Sequence, residues 1–377
     1  MSRLSKPRPG IVTGVLLFLC WTDPVISAES KTGQQAEWEK TVAAAHKEGE
    51  VALYGQARYG VQDAILAFKN AYPKIKFNFI GGQGSELAKR VMAEKRADKH
   101  LVDITIGGSG TQVLVYHKGG LLAPTGSAFV LAEVTDTSLW WGKRHHYADS
   151  ENRSVFMAQG DVADRMGAYN TNLVKPAEIQ SWWDLLDPKW KGRIVMADPR
   201  WAGNIGSWRY LYYSPDLGPK FIKRFLAEME ITFSTDERQM IDWLASGKFH
   251  VYLLAKDENI DLGVKQGLPI KSLHSQKEPG SITTGSGHIS LFKKAPHPNA
   301  AKVYINWFLS REGQRTWQKY TGANSFRTDI PKDMLPLGQA QVPMEGKQYL
   351  MTSLPQYEEV KPLRKLVDEA LGDARRK

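Results

Sequence analysis

The sequence has 377 residues, of which 42% are hydrophobic and 24% charged, and its formal net charge is +10. This composition excludes a disordered or low-complexity chain, and the length predicts two compact lobes rather than one hydrophobic core. The cations are scattered along the chain, so the charge predicts a solvated surface that favours anions and no nucleic-acid partner.

The beginning of the chain has the pattern of a secretory signal peptide. Arg3, Lys6 and Arg8 precede an apolar run over residues 11–21, and two small residues ending at Ala28 follow. The run is shorter than the roughly 20 residues that span a bilayer. We therefore expect residues 1–28 to be removed and the protein to be periplasmic and soluble.

The cysteine content also bears on the compartment. The one cysteine, Cys20, lies inside the predicted signal peptide. After cleavage the chain contains no thiol, so neither a disulfide nor a thiolate metal site is expected. Leu19 precedes the cysteine where a lipoprotein has a small residue, so lipid attachment is disfavoured.

After a predicted helix over residues 36–47, strands and helices alternate strictly. Apolar side chains recur at helical spacing over residues 60–72 and alternate as in a strand over residues 74–80. This alternation predicts a parallel sheet with helical crossovers. The predicted strands are VALYGQ, KIKFNFI and VDITIG, and the predicted helices are GVQDAILAFKNAY, SELAKRVMAEKRA and TQVLVYHKGG.

The loops after these three strands share one character. Residues 56–60, 81–85 and 107–111 are rich in glycine and hydroxyl or amide side chains, and each leads into a helix. In an open parallel sheet such loops meet at the carboxyl edge, where ligands bind. Helix starts there offer free N–H groups to an anion, although the same residues are also ordinary turn and cap residues.

A second alternation follows from about residue 166. Its clearest loop is DPRWAGN, residues 198–204, which joins a buried strand to a helix and presents an arginine and a tryptophan. The predicted strands are MGAYNTNLV, RIVMAD, FHVYLLA and GHISLFKKA, and the predicted helices cover residues 214–229, 236–248, 296–320 and 358–374.

The usual catalytic motifs of hydrolases, phosphate-binding loops and zinc peptidases are missing, so no enzyme activity is expected. The pair His145-His146 with Asp149 is interpreted as a surface cluster rather than a metal site, because adjacent residues of an extended segment point to opposite faces. His288 is interpreted as a structural hydrogen bonder, and Tyr212-Tyr213 as core packing. An exported enzyme that uses Asp198, Asp257 or His288 stays the least favoured alternative.

Three segments together resemble a known family. WWDLLDPKWKGRIVMADPRWAGN, LASGKFHVYLLA and APHPNAAKVYINWFLSREGQ are similar to family-1 extracellular solute-binding proteins of bacterial importers, in the ferric-iron-binding-like branch. The resemblance implies a type II periplasmic-binding-protein fold. In this α/β fold two lobes, each a mainly parallel sheet flanked by helices, close over a solute in the cleft between them. It further implies a non-enzymatic, monomeric protein without a cofactor that docks on an ABC permease.

The resemblance also implies domain boundaries. The first lobe would comprise residues 37–168 and a return segment over 280–330, the second lobe residues 169–279, and a C-terminal helical segment residues 331–377. GAYNTN would be the first crossover between the lobes, and the region of GSGHISLF the second.

The solute is a separate question. Iron-binding members of this branch carry a tyrosine pair just past the strand that corresponds to FHVYLLA, and this chain has Tyr252 alone there. Ferric iron prefers anionic oxygen ligands, which the nearby cations disfavour. An organic anion or oxyanion is therefore the favoured solute, held bidentately by arginine, and ferric iron with an accompanying anion is the alternative. The residues expected to contact the solute are Arg58, Tyr59, Ser85, Ser109, Thr111, Arg200, Trp201, Asn204, Lys256 and Asp257.

Overall fold

The computed structural model describes residues 25–58, 60–201, 204–357 and 359–374. Most of the predicted signal peptide, residues 1–24, lies outside them, and α1 continues across the expected cleavage position after Ala28. The strands are β1 (Glu50–Gln56), β2 (Lys76–Gly82), β3 (Ile104–Gly107), β4 (Phe156–Met157), β5 (Asp161–Ala163), β6 (Arg165–Asn170), β7 (Ile194–Ala197), β8 (Thr232–Ser234), β9 (Val251–Leu253), β10 (Ile270–His274), β11 (Ser281–Thr283), β12 (His288–Leu291) and β13 (Leu350–Met351).

Helices cover both main sheets, and short 3₁₀ turns fill many connections. A π-helical segment, Gln112–His117, directly continues the short helix α5. The α-helices are α1 (Val25–Glu48), α2 (Val61–Leu66), α3 (Phe68–Ala71), α4 (Gly84–Arg96), α5 (Ser109–Thr111), α6 (Ala132–Thr135), α7 (Arg209–Tyr213), α8 (Gly218–Glu228), α9 (Glu237–Ala245), α10 (Asp257–Lys265), α11 (Pro298–Leu309), α12 (Arg311–Thr321) and α13 (Lys361–Ala374).

The first lobe is built on a five-stranded sheet with the order β2-β1-β3-β12-β4. β1 pairs in parallel with β2 and β3, as the alternation predicts. β12 enters later in the chain and pairs antiparallel to β3 and β4. The carboxyl ends of β1, β2, β3 and β4 therefore meet the beginning of β12 at one edge.

The second lobe is built on the sheet β10-β6-β9-β7-β8. Ile194 and Met196 of β7 pack into one core beneath the sheet and Val195 into another above it, as the two-residue period of a strand requires. β7 pairs in parallel with β8 and β9, whereas β6 is antiparallel to β9 and β10. The carboxyl ends of β7 to β10 thus share one edge with the beginning of β6.

A third sheet, β13-β11-β5, connects the lobes. β5 leaves the carboxyl edge of the first sheet after β4 and enters the second sheet at β6, and β11 returns from β10 to β12. This sheet therefore holds the two carboxyl edges opposite each other. The predicted first crossover falls too late, because Gly167–Asn170 belong to β6 inside the second sheet. The predicted second crossover begins with GSG, residues 285–287, which lies in the turn between β11 and β12, and its HISL segment is β12 itself.

Two other expectations need correction. The helix predicted over residues 296–320 is two helices, because extended Ser310 ends α11 and its hydroxyl caps α12 by accepting from Gly313 N–H. His145-His146 is not a surface cluster. His146 is buried, stacks on Trp141 and contacts the Trp141 carbonyl oxygen through Nε2, at 2.8 Å, while buried Asp149 accepts the N–H groups of Ser154 and Val155.

The segment after α12 contains less helix than expected. It forms a 3₁₀ turn at Gly338–Gln341, strand β13, a second turn at Pro355–Tyr357 and finally α13. Leu363, Leu366 and Val367 of α13 are buried in the core of the second lobe. In the part of the chain that the structure describes, no helix is long and apolar enough to span a membrane.

Candidate functional site

The carboxyl edge of the first sheet forms two adjoining cavities. One, of about 290 Å³, is lined by Ser85, Thr111 and the Gly107–Gly108 backbone, and the other, of about 670 Å³, by Arg58, Gln83 and Ser286. Gln56 and Gly84 line both. The two helix starts lie so close that a Cβ on Gly84 would be 2.5 Å from Thr111 Oγ1. The loops predicted to converge therefore do so.

Arg58 provides the positive charge of this edge. Its side chain is exposed, and within the described ranges no carboxylate lies within ion-pair distance of its guanidinium. The backbone N–H groups of Gly84 and Ser85 begin the 13-residue helix α4, whose first intrahelical bonds run from Glu86 and Leu87 to Gln83. The Glu86 carboxylate lines the same cavity and accepts the Gln83 N–H at 3.1 Å, so an anion here would be held by Arg58 and by the Gly84 and Ser85 N–H groups.

A buried polar network fixes the loop that follows β3. His288 contacts the Gly107 carbonyl oxygen through Nδ1, at 3.1 Å, and Thr284 Oγ1 through Nε2, at 2.9 Å. Gln112 Nε2 donates to the carbonyl oxygens of Gly107 and His288, and its Oε1 accepts from Ser290 Oγ. His288 is thus a structural residue, as expected, and not a cleft-facing base.

The protonation of His288 links this network to pH. Burial lowers the pKa of His288 to about 4, so the imidazole is neutral in the folded protein. In the unfolded chain His288 binds a proton below its ordinary pKa of about 6.5, whereas in the folded protein it does so only near pH 4. The neutral imidazole therefore stabilises the folded protein fully above about pH 6.5, and this stabilisation is lost as the pH falls towards 4. Its full size is roughly 3 kcal/mol.

We therefore expect the free energy of unfolding to fall steeply between about pH 6.5 and pH 4. His288→Gln should be less stable than the wild type at neutral pH but should lose less stability on acidification. Urea denaturation at several pH values measures both effects. His100→Gln, at a surface histidine, is the matched control. An unchanged pH dependence in His288→Gln would show that the buried imidazole does not control it.

Arg200, predicted to contact the solute at the edge of the second sheet, is already paired with Asp198. Arg200 Nε donates to Asp198 Oδ1 at 2.8 Å, Nη2 contacts the other carboxylate oxygen, and this pairing raises the pKa of Arg200. Asn204 Nδ2 donates to the Asp198 carbonyl oxygen, and Arg364 of α13 donates to that of Arg200. The Arg200 charge is therefore neutralised by Asp198, and 62% of Trp201 is exposed beside it.

The other predicted cation of this edge is paired too. Lys256 Nζ lies 2.6 Å from Glu237 Oε1, and Asn259 donates to the second oxygen of the same carboxylate. Arg165, which the sequence analysis did not single out, lies 3.6 Å from Asp261 at the start of β6. The two cations predicted at this edge, Arg200 and Lys256, thus both lie in ion pairs.

The remaining predicted contacts are Ser109, Tyr59 and Asp257. Ser109 is buried and its hydroxyl donates to the Ser353 carbonyl oxygen at 2.8 Å. Tyr59 lies outside the described residues, and of Asp257 the structure describes only the backbone, at the start of α10. Tyr252 is buried in the core, and burial raises its pKa, so it is not placed to bind iron as a phenolate.

Several lining residues were missed by sequence reasoning. Gln56 and Gln83 lie inside the predicted loops but carry no charge that would have marked them, and Ser286, which donates to Gln56 Oε1, lies in the GSG turn before β12. Ser353, which accepts the Ser109 hydroxyl but lines neither cavity, has no sequence signal. Among the described residues, no three His, Cys, Asp or Glu side chains are grouped to hold a metal ion.

Comparison with known proteins adds a family match. The sequence model of the bacterial extracellular solute-binding proteins matches residues 50–321. Iron uptake protein A1 of Synechocystis is 25% identical over 152 residues, which are 39% of this chain and 37% of that protein. An uncharacterised protein of Haemophilus influenzae is 26% identical over 328 residues, 82% of this chain and 87% of that protein.

A solved structure has the same fold. The Trichodesmium protein IdiA (FutA), in complex with iron and citrate, is 18% identical, and the alignment covers 85% of this chain and 99% of that chain with a TM-score of 0.56. At this identity the likeness carries the fold and not the ligand. The predicted two-lobe type II periplasmic-binding-protein fold is confirmed.

Proposed function

Because this chain belongs to the bacterial extracellular solute-binding proteins, we propose that it captures a small organic anion or oxyanion between its lobes and delivers it to an ABC permease. The observation that carries the anion is Arg58, an exposed guanidinium beside the start of α4, in a cavity of about 670 Å³. Arginine binds carboxylates and phosphonates bidentately, and the helix N–H groups complete the contacts.

The lobes and their movement are part of this proposal. The first lobe would comprise residues 37–160 with a return segment from residue 284, and the second lobe residues 165–280. The strands β5, β11 and β13 would act as the hinge, because they alone join the two main sheets among the described residues. Export through a signal peptide cleaved after Ala28, a monomeric state and residence in the periplasm belong to the same proposal.

A thermal-shift screen of the mature protein tests the function. The panel contains inorganic phosphate, methylphosphonate, citrate, a polyamine and ferric chloride. A solute at 100 times its Kd stabilises the folded state by about 2.7 kcal/mol, which raises the unfolding midpoint by several degrees. We expect a rise with at least one anion. A rise with ferric chloride alone would contradict an anionic solute.

Ferric iron is the second candidate, since the names of Iron uptake protein A1 and of the Trichodesmium complex refer to iron. Iron coordinated by phenolate oxygen would give a visible charge-transfer band on addition of ferric salt. Because Tyr252 is buried, such a band would have to come from another phenol. A colourless mixture would count against this candidate.

Arg200 and Arg58 are expected to differ in their effect on solute binding. Because Asp198 already neutralises Arg200, Arg200→Ala should change the affinity for an anion less than about three-fold. Isothermal titration with the anion that gives the largest thermal shift measures this. Asp198→Asn is the matched variant: it weakens the pair and should not weaken anion binding. A ten-fold loss in Arg200→Ala would place Arg200 in direct contact with the solute.

A further inference from the structure

The C-terminal connector, residues 350–357, reaches the edge at which the solute is proposed to bind. Within it, Ser353 accepts two hydrogen bonds from the first lobe and the hinge. The Ser109 hydroxyl donates to the Ser353 carbonyl oxygen at 2.8 Å, and the Thr284 N–H donates to Ser353 Oγ at 3.2 Å. One residue of the connector therefore presents two acceptor oxygens to two donors of this edge.

Both donors lie at the solute edge. Ser109 begins the helix next to the Gly107–Gly108 loop, which lines the smaller cavity. Thr284 follows β11, and its hydroxyl holds the buried His288. Two donors of this edge are thus each occupied by an acceptor oxygen of Ser353, which is the kind of contact that anionic oxygens make.

The connector is attached to the hinge and to the second lobe. β13 pairs in parallel with β11, and Thr352 Oγ1 contacts the Ile282 carbonyl oxygen at 3.5 Å. Beyond Ser353, Tyr213 of α7 donates to the Glu359 carbonyl oxygen at 2.6 Å, and α13 is buried against the second lobe. Movement of the second lobe therefore acts on the contacts of Ser353.

We propose that Ser353 occupies part of the solute site when no solute is bound. Its two oxygens fill an oxygen subsite formed by Ser109 and Thr284, and a bound oxyanion displaces them. This inference rests on the proposed function. The ligand class it specifies is an anion with two acceptor oxygens, one for each donor. The Ser109 proton, committed to Ser353 in the absence of solute, becomes available to the anion only when the connector withdraws.

The need to displace Ser353 predicts how a substitution there changes the affinity for the anion. Binding at this subsite must first break the two hydrogen bonds to Ser353, which lowers the apparent affinity for the anion. Ser353→Ala removes the acceptor of the Thr284 N–H and so weakens the attachment of the connector to this edge. The backbone carbonyl oxygen of residue 353 remains and still accepts from Ser109. We expect the affinity for the anion to rise about three-fold to ten-fold, as the loss of one competing hydrogen bond predicts.

The experiment uses the full mature chain and titrates inorganic phosphate, methylphosphonate and citrate calorimetrically into four proteins. These are the wild type, Ser353→Ala, Ser353→Thr, which restores the hydroxyl, and Ser127→Ala. Ser127 is a surface serine with a local bond to Pro124 and serves as the matched control. Amide hydrogen exchange at Thr284 without any anion verifies the contact and should be faster in Ser353→Ala alone.

Tighter anion binding by Ser353→Ala, reversed in Ser353→Thr, supports the inference. Equal or weaker binding by Ser353→Ala, with the wild type binding the same anion, overturns the inference and leaves the proposed function intact. If neither protein binds any of the three anions, both the inference and the anionic form of the proposed function fail.

Discussion

Replacing Arg58 with alanine is expected to weaken the binding of an anionic solute at least ten-fold. Arg58 is exposed at the larger cavity, whereas Arg200 and Lys256 across the cleft are already paired with Asp198 and Glu237. Loss of a charge-assisted, bidentate contact costs about 1.5–3 kcal/mol, which corresponds to at least ten-fold in Kd. Isothermal titration with the anion identified in the thermal-shift screen measures the effect.

Two further variants make the Arg58 experiment specific. Arg58→Lys keeps the charge but not the planar fork, so it should recover part of the affinity. Arg96→Ala removes an exposed arginine from the far end of α4, in the same lobe, and should leave the affinity unchanged. If Arg58→Ala and Arg96→Ala weaken binding equally, the effect comes from net charge and not from a contact.

Gln112→Leu is expected to lower the free energy of unfolding by about 3 kcal/mol and also to weaken solute binding. The substitution leaves the His288 carbonyl oxygen and the Ser290 hydroxyl without their amide partner in a fully buried place, and it leaves the Gly107 carbonyl oxygen with His288 Nδ1 alone. Each unsatisfied buried polar group costs about 1–3 kcal/mol. Because Gly107 belongs to the loop that lines the smaller cavity, its displacement disturbs the site as well.

Urea denaturation measures the stability change, and the calorimetric titration measures the binding change in the same protein. Gln266→Leu, at an exposed position after α10, is the matched control and should be close to the wild type. A Gln112→Leu protein as stable as the wild type would mean that the buried partners find other hydrogen bonds.

The regular part of the fold was predictable from the sequence. The strands β1, β2 and β3 and their helices follow from local apolar periodicity, and their parallel pairing follows from the alternation of strands and helices. The first crossover was not, because β5 is a three-residue strand without a periodic pattern, while the neighbouring GAYN segment has the buried pattern of a core strand. Only pairing partners distinguish a hinge strand from a core strand.

The candidate site was predictable to the same degree. The loops after β1, β2 and β3 were identified by their glycines and hydroxyl groups, and Arg58, Ser85 and Thr111 line the cavities that those loops form. The charge state of the second lobe was not predictable. The Lys256–Glu237 pair joins residues 19 positions apart in different elements, and whether a carboxylate reaches a lysine depends on how α9 and α10 pack.

The sequence by itself determined the fold class and the family and marked the loops that line the first lobe's cavities, because each of these follows from local periodicity, composition or short motifs. The tertiary structure decided which cations are available to a solute and what lies against Ser109. Arg200 is neutralised by a residue two positions away, yet Ser109 contacts Ser353, 244 residues further along the chain. No local pattern encodes such a contact, because it forms only when β13 joins the hinge and α13 packs on the second lobe.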